Sequence, residues 1–224
     1  MKLPSSGVKE DIVRDDRGRI RERRHLFGDR LEGEYVSYFS NGQVMVRLFF
    51  RAGKREGEAA SYYKDGTVRE RGSFREGRLD GEYANFYEDG GPREIEMRRN
   101  GKLHGRYVFC YRNGRIRDEE HFCNGKFDGP YRSYYKSGRI KEEGCFRNGR
   151  REGEYVAYYR SGAVRERATY RSGRLQGSFE TFLEGTASEG GGTESLPDDG
   201  EDAGREAMAV ADNLLKDLEK FNKP

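Results

Sequence analysis

Gly129-Pro130-Tyr131-Arg132-Ser133-Tyr134-Tyr135-Lys136-Ser137-Gly138-Arg139-Ile140-Lys141-Glu142-Glu143-Gly144-Cys145-Phe146-Arg147-Asn148-Gly149-Arg150 is the stretch whose reading decides the fold. Its first half is a short aromatic strand ending in Ser-Gly. Its second half opens on Ile140 and closes on Phe146, then meets Asn-Gly. Such dipeptides accept the positive φ of a tight turn, where a Cβ is penalised. Two short strands between two such turns read as a β-hairpin.

The same text recurs along the chain. Gly33, Gly57, Gly81, Gly105, Gly129, Gly153 and Gly177 stand at a constant 24-residue step, and Gly42 to Gly162 and Gly53 to Gly173 follow the same beat. The early aliphatic recurs as Val44, Val68, Ile116, Ile140 and Val164, and the late aromatic as Phe50, Phe74, Phe122, Phe146 and Tyr170. A fixed period of this length means one supersecondary unit stacked on itself. One hairpin cannot bury its own aromatic face, so neighbours must supply the stability.

Composition agrees. Hydrophobic residues make up 33% and charged residues 37%, yet there are 15 Tyr and 13 Phe, so apolar surface is concentrated in rings. The net charge of +3 hides an asymmetry: residues 184–224 carry 11 acidic and 4 basic residues, and residues 1–183 carry 39 basic and 29 acidic. No apolar run is long enough for a transmembrane helix, and the first residues lack the apolar core of a secretory signal. The expected setting is intracellular and cytoplasmic, or alternatively a virion.

The pattern Gly-x-Tyr-x-x-Tyr-Tyr-x-x-Gly followed by Phe-x-x-Gly-Lys/Arg-x-x-Gly resembles the MORN repeat superfamily. It is carried by Gly81-Glu82-Tyr83 with Phe86-Tyr87 and Gly90, by Gly129 with Tyr134-Tyr135 and Gly138, and by Gly153-Glu154-Tyr155 with Tyr158-Tyr159 and Gly162. It is most similar to the second MORN variant, found in bacterial antitoxin-like repeat proteins and in large DNA virus proteins. The resemblance implies a twisted β-sheet that serves as a scaffold or binding surface without chemistry of its own.

The expected architecture is all-β: an elongated, twisted antiparallel meander of about six to seven hairpins, with a flexible linker and a C-terminal α-helix. Its segments are 1–17 as an N-terminal piece, 18–183 as the repeat domain, 184–204 as an acidic Gly/Ser-rich linker, and 205–221 as an amphipathic helix. Both ends of the repeat read as degenerate caps.

The repeat also sorts function from architecture, because a residue shared by every unit is explained by the fold. Cys110, Cys123 and Cys145 fall in three different columns, so no metal-ligand spacing arises. His25 and His121 share a column but lie four units apart, and His104 falls in a turn. No nucleophile–base–acid set assembles, so no catalytic residue, metal or cofactor is expected. Glu34, Glu58, Glu82 and Glu154 recur as a solvated ladder.

Two basic columns survive this filter: Arg69, Arg93, Arg117, Lys141 and Arg165, and Arg51, Arg75, Arg99, Arg147 and Arg171. On a strand without a bulge both share one face, with Glu70, Glu94, Asp118, Glu142 and Glu166 on the other. They are either solvent-facing charge paired with glutamates or a stripe for an anionic partner: acidic lipid head groups, nucleic acid or an acidic protein.

In the tail, Met208, Ala211, Leu214, Leu215, Leu218 and Phe221 recur at three- and four-residue steps and form one apolar stripe. That helix either caps the last sheet edge or docks on a protein partner. The functional expectation is a non-catalytic scaffold for protein–protein interaction or structural assembly, in a virion or on the cytoskeleton. The alternative is a basic face that binds anionic lipid or nucleic acid.

Overall fold

Two kinds of turn, written almost identically in the sequence, alternate along the chain. Between repeats, two consecutive residues are left-handed (Asn100 φ 50° and Gly101 φ 80°, Asn148 φ 51° and Gly149 φ 78°), the signature of a type I′ turn. Within a repeat the glycine alone is left-handed (Gly42 φ 86°, Gly66 φ 91°). There the amide of Gly42 donates to the Phe39 carbonyl at 2.9 Å and that of Phe39 to the Gln43 carbonyl at 2.8 Å. This is a type I turn closed by a left-handed glycine. The residue before that glycine acts as an acceptor: Asp65 Oδ1 takes the Thr67 amide at 2.9 Å and Asn113 Oδ1 the Arg115 amide at 3.1 Å. That role explains why Asn, Asp and Ser share the position.

The computed structural model describes residues 7–185. These turns lay the chain out as one antiparallel meander, each strand pairing with its successor in the sequence. Typical hairpins join Arg30–Tyr38 to Val44–Arg51, Arg78–Phe86 to Pro92–Arg99, and Gly153–Tyr158 to Val164–Arg171. All described regular structure is strand. The expected helix over 205–221 and the linker over 184–204 lie almost wholly outside the described residues.

The sheet begins earlier than residue 18: Val8–Arg14 pairs with Ile20–Phe27. Glu10 and Ile12 sit one 24-residue step before Glu34 and Val36, but Lys9 and Asp11 stand where later units have Gly33 and Tyr35.

The Tyr35 and Phe50 columns pack their rings on one face, here termed inner. Tyr35, Tyr83, Tyr107 and Tyr155 are buried, with Phe50, Phe74 and Phe122 beside them. The rings meet edge-on, as in Tyr35–Phe50 at 6.2 Å and Tyr107–Phe122 at 5.9 Å between centroids, a geometry favoured by the ring quadrupoles. Where the facing residue is Gly144, the Tyr131 ring closes over it. A Cβ on Gly144 would lie 2.7 Å from Tyr131 Cε1.

On the other, outer face, the glutamate column forms cross-strand ion pairs: Glu34–Arg47 at 3.2 Å, Glu82–Arg71 at 3.3 Å and Glu154–Arg167 at 3.6 Å. Arg106 inverts the polarity of that column, pairing with Glu119 at 2.8 Å, and Arg132, in the Val36 column, pairs with Glu143 at 2.9 Å.

Candidate functional site

Every hairpin contains a β-bulge at the same place, and it reorganises both basic columns. Ser61 pairs with Glu70 but Tyr62 with Val68, so Arg69 is the extra residue; Arg93, Arg117, Lys141 and Arg165 occupy the equivalent positions. The bulge-free condition for a shared stripe is therefore not met. A bulge re-aims its side chain, and here it turns the cation onto the acid that follows it in sequence. Arg117 Nε lies 2.7 Å from Asp118 Oδ2, Arg165 Nε 3.2 Å from Glu166 Oε1 and Arg69 Nε 3.5 Å from Glu70 Oε1. Arg93 and Arg117 also stack on the Phe109 ring, with guanidinium carbons 5.8 and 4.0 Å from its centroid.

The second basic column remains on the solvent side, and it has company that the sequence reading missed. Arg51 stands opposite Lys54, Arg75 opposite Arg78, Arg99 opposite Lys102, Arg147 opposite Arg150 and Arg171 opposite Arg174. All ten are exposed, as are Arg30 and Lys126, which extend the row. The result is a two-residue-wide basic track along the margin that carries the inter-repeat turns. Lys54 pairs with Glu76 at 2.9 Å and Arg75 with Asp80 at 3.9 Å. Several acids of this margin are instead taken up by turn amides: Glu32 accepts from Ala52 at 2.7 Å, Glu56 from Glu76 at 2.9 Å and Glu152 from Ser172 at 2.6 Å. The signal was present in the sequence, since a basic residue follows each of these glycines except Gly28, but the cross-turn pairing becomes visible only with the register.

The inner face holds an unexpected acidic ladder. Glu94 is 0% and Glu96 1% exposed. Asn85 Nδ2 donates to Glu94 at 2.6 Å, and Arg98, itself nearly buried, pairs with Glu96. Glu96 Oε2 and Glu120 Oε2 are buried without a hydrogen-bond partner. Burial pushes Glu94 and Asp118 upward and raises Glu96 and Glu120 to about 7. The neighbouring carboxylates press the Tyr83, Tyr107 and Tyr155 hydroxyls far above their ordinary range, on top of the larger effect of burial. Arg98 was the available clue: it stands where the aromatic column passes from Phe74 to Phe122.

A shallow groove of about 510 Å³ lies on the outer face over Ala60, walled by Phe49, Tyr62, Arg47 and Arg71, with Glu58 and Glu82 at its rim. Ala60 lies in a column that reads Val36, Ala60, Ala84, Val108, Arg132 and Val156, so its small side chain leaves room there.

The remaining reactive side chains are dispersed. Cys110 is buried, Cys123 half-buried and Cys145 exposed. His25 Nδ1 donates to the Glu34 carbonyl at 2.8 Å and His121 Nδ1 to that of Pro130 at 3.1 Å, so the shared histidine column ties one strand to the next. Among the described residues no cluster of His, Cys, Asp and Glu could hold a metal ion, and no helix is long and apolar enough to cross a membrane.

A 24-residue hairpin repeated in register, with charges on two faces and a margin, defines an all-β repeat protein. The family model of the MORN repeat variant matches residues 31–52, 55–76, 127–148 and 151–172, so the chain carries MORN repeats of that variant. No curated protein matches the chain. MORN repeats are generally associated with binding of proteins or membrane lipids.

Proposed function

We propose that this chain is a non-catalytic intracellular scaffold that holds a protein partner on the outer face of its repeat sheet. The observation that carries this reading is the groove over Ala60. Its wall residue Phe49 is 39% exposed, and Met97, two repeats along the same column, is 40% exposed. An exposed ring beside a depression, flanked by the ion-paired Arg47 and Arg71, has the form of a small interface: an apolar centre within a polar rim. Assembly into a virion or a cytoskeletal structure would use the same face.

The test places a photo-crosslinking amino acid at position 49 and compares capture with the same probe at position 40, in extracts of the source cell. The expected result is one discrete crosslinked protein from position 49, lost when Ala60→Arg fills the groove while the melting temperature is kept. Equal capture from both positions, or capture that survives Ala60→Arg, would reject the groove as the docking face.

A further inference from the structure

We propose that the basic margin is a binding track for the phosphate backbone of single-stranded nucleic acid. Like charges placed directly opposite each other on adjacent strands destabilise a sheet, yet two cations face each other across the type I′ turn in five repeats. Lys54 and Arg75 meet an acid at 2.9 and 3.9 Å, but the side chains of all five pairs are exposed to solvent. A local conflict repeated in five units marks a functional surface. The six-residue turn segments starting at residues 27, 51, 75, 99, 123, 147 and 171 hold 14 basic and 7 acidic residues, so the margin as a whole is positive.

The spacing suits a polyanion. Equivalent residues of successive repeats are two strands apart, about 10 Å, which is close to the screening length of roughly 8–10 Å at physiological salt. The fields of neighbouring pairs therefore merge into one continuous strip. Twist decides between a flat and a flexible anion. Adjacent strands rotate by about 20–25°, so the track turns by roughly 45° per repeat. A planar membrane touches only a few pairs of such a track, whereas a single strand can follow it. The contacts are to phosphates, so binding is independent of base sequence and strongly salt-dependent. The groove over Ala60 plays no part, and loss of this site leaves crosslinking from position 49 intact.

The experiment measures fluorescence polarisation of a labelled oligouridylate long enough to span four repeats, about 40 Å, against salt concentration, using the full chain. A parallel arm measures flotation with phosphatidylserine-containing vesicles. The test variant combines Arg99→Glu, Lys126→Glu and Arg147→Glu. The control combines Lys64→Glu, Arg112→Glu and Lys136→Glu on the opposite margin, with the same change in net charge. The expected result is at least tenfold weaker oligonucleotide binding by the test variant, with the log–log salt slope flatter by about 2. The control stays close to wild type, and both variants melt as the parent does. Equal weakening by the control overturns the proposal, because net charge alone then accounts for binding. Absence of oligonucleotide binding at low salt overturns it as well, whether or not the vesicles are bound.

Discussion

The Tyr111 hydroxyl donates to the backbone carbonyl of Tyr134, 23 residues away, at 2.7 Å. The relationship is a ladder. Tyr63 reaches Phe86, Tyr87 reaches Cys110, Tyr135 reaches Tyr158 and Tyr159 reaches Phe182, each by the same bond at 2.6–2.7 Å. Each hydroxyl satisfies a carbonyl just before the next type I turn, which fixes that turn relative to the preceding one. Phe39 lacks the hydroxyl, so the first described rung is absent.

Removing one rung should therefore weaken coupling between two repeats. Tyr111→Phe keeps the ring and leaves a carbonyl unpaired, which costs about 0.5–1.5 kcal/mol. Urea denaturation followed by circular dichroism measures it. Phe39→Tyr is the converse test and should stabilise by a smaller amount. An unchanged midpoint for Tyr111→Phe would mean that water replaces the rung at no cost.

The inter-repeat turns predict a gain. Ala52 adopts φ 49° at a position filled by Asn100, Asn124 and Asn148 in other units. A left-handed residue with a Cβ costs about 1–2 kcal/mol, less for Asn, whose side chain bonds locally. Ala52→Asn should raise stability by roughly 0.5–1 kcal/mol, and the amide bond to Glu32 is kept because it uses the backbone. A lower melting temperature would show that the Asn side chain disturbs the margin.

Hairpin count, ring core and surface glutamates were legible in the sequence because each is a column repeated with little change. The bulge was not, since Arg69 and Glu70 look like ordinary alternating charges and an extra residue leaves the period intact. Nor were the two turn types, because Asn41-Gly42 and Asn100-Gly101 are the same dipeptide and differ only in what the flanking strands pair with. The buried acids escaped for another reason. Glu96 and Glu120 occupy a column that elsewhere holds Leu48, Gly72, Gly144 and Ala168, and charge alone suggested solvent. The cross-turn basic pairs needed the register, which shows Lys54 opposite Arg51.

The acids of the inner face give an inverted pH dependence. Glu120 is raised to about 7, chiefly by burial and then by Asp118. The folded state thus holds a proton that the unfolded chain releases near its ordinary 4.5. Its contribution is fully present below pH 4.5, declines as pH rises, and is lost above about 7. Glu96, also raised to about 7, acts in the same direction. The repeat domain should melt higher at pH 5.5 than at pH 8, by an amount on the order of 2 kcal/mol per group. Glu120→Gln should flatten that slope and stabilise at pH 8. Stability that increases steadily from pH 5.5 to 8 would contradict the assignment.

The Glu96–Arg98 pair supplies the sharpest test, because the other repeats show what it replaced. Its side chains are 1% and 9% exposed, and Arg98 also donates to the Gly101 carbonyl at 2.9 Å. Arg98→Phe restores the aromatic of the column but strands a buried carboxylate, a loss of about 3–5 kcal/mol. Glu96→Leu alone strands the guanidinium and costs a similar amount. The double variant Glu96→Leu with Arg98→Phe copies the Leu48 and Phe50 arrangement. It should equal or exceed the parent, since replacing a buried ion pair by well-packed apolar groups is often neutral or stabilising by about 1–4 kcal/mol. Chemical denaturation of the three variants closes the cycle. If the double variant falls as far as the singles together, the pair is held by its wider surroundings, and a polar centre is then a requirement of this sheet.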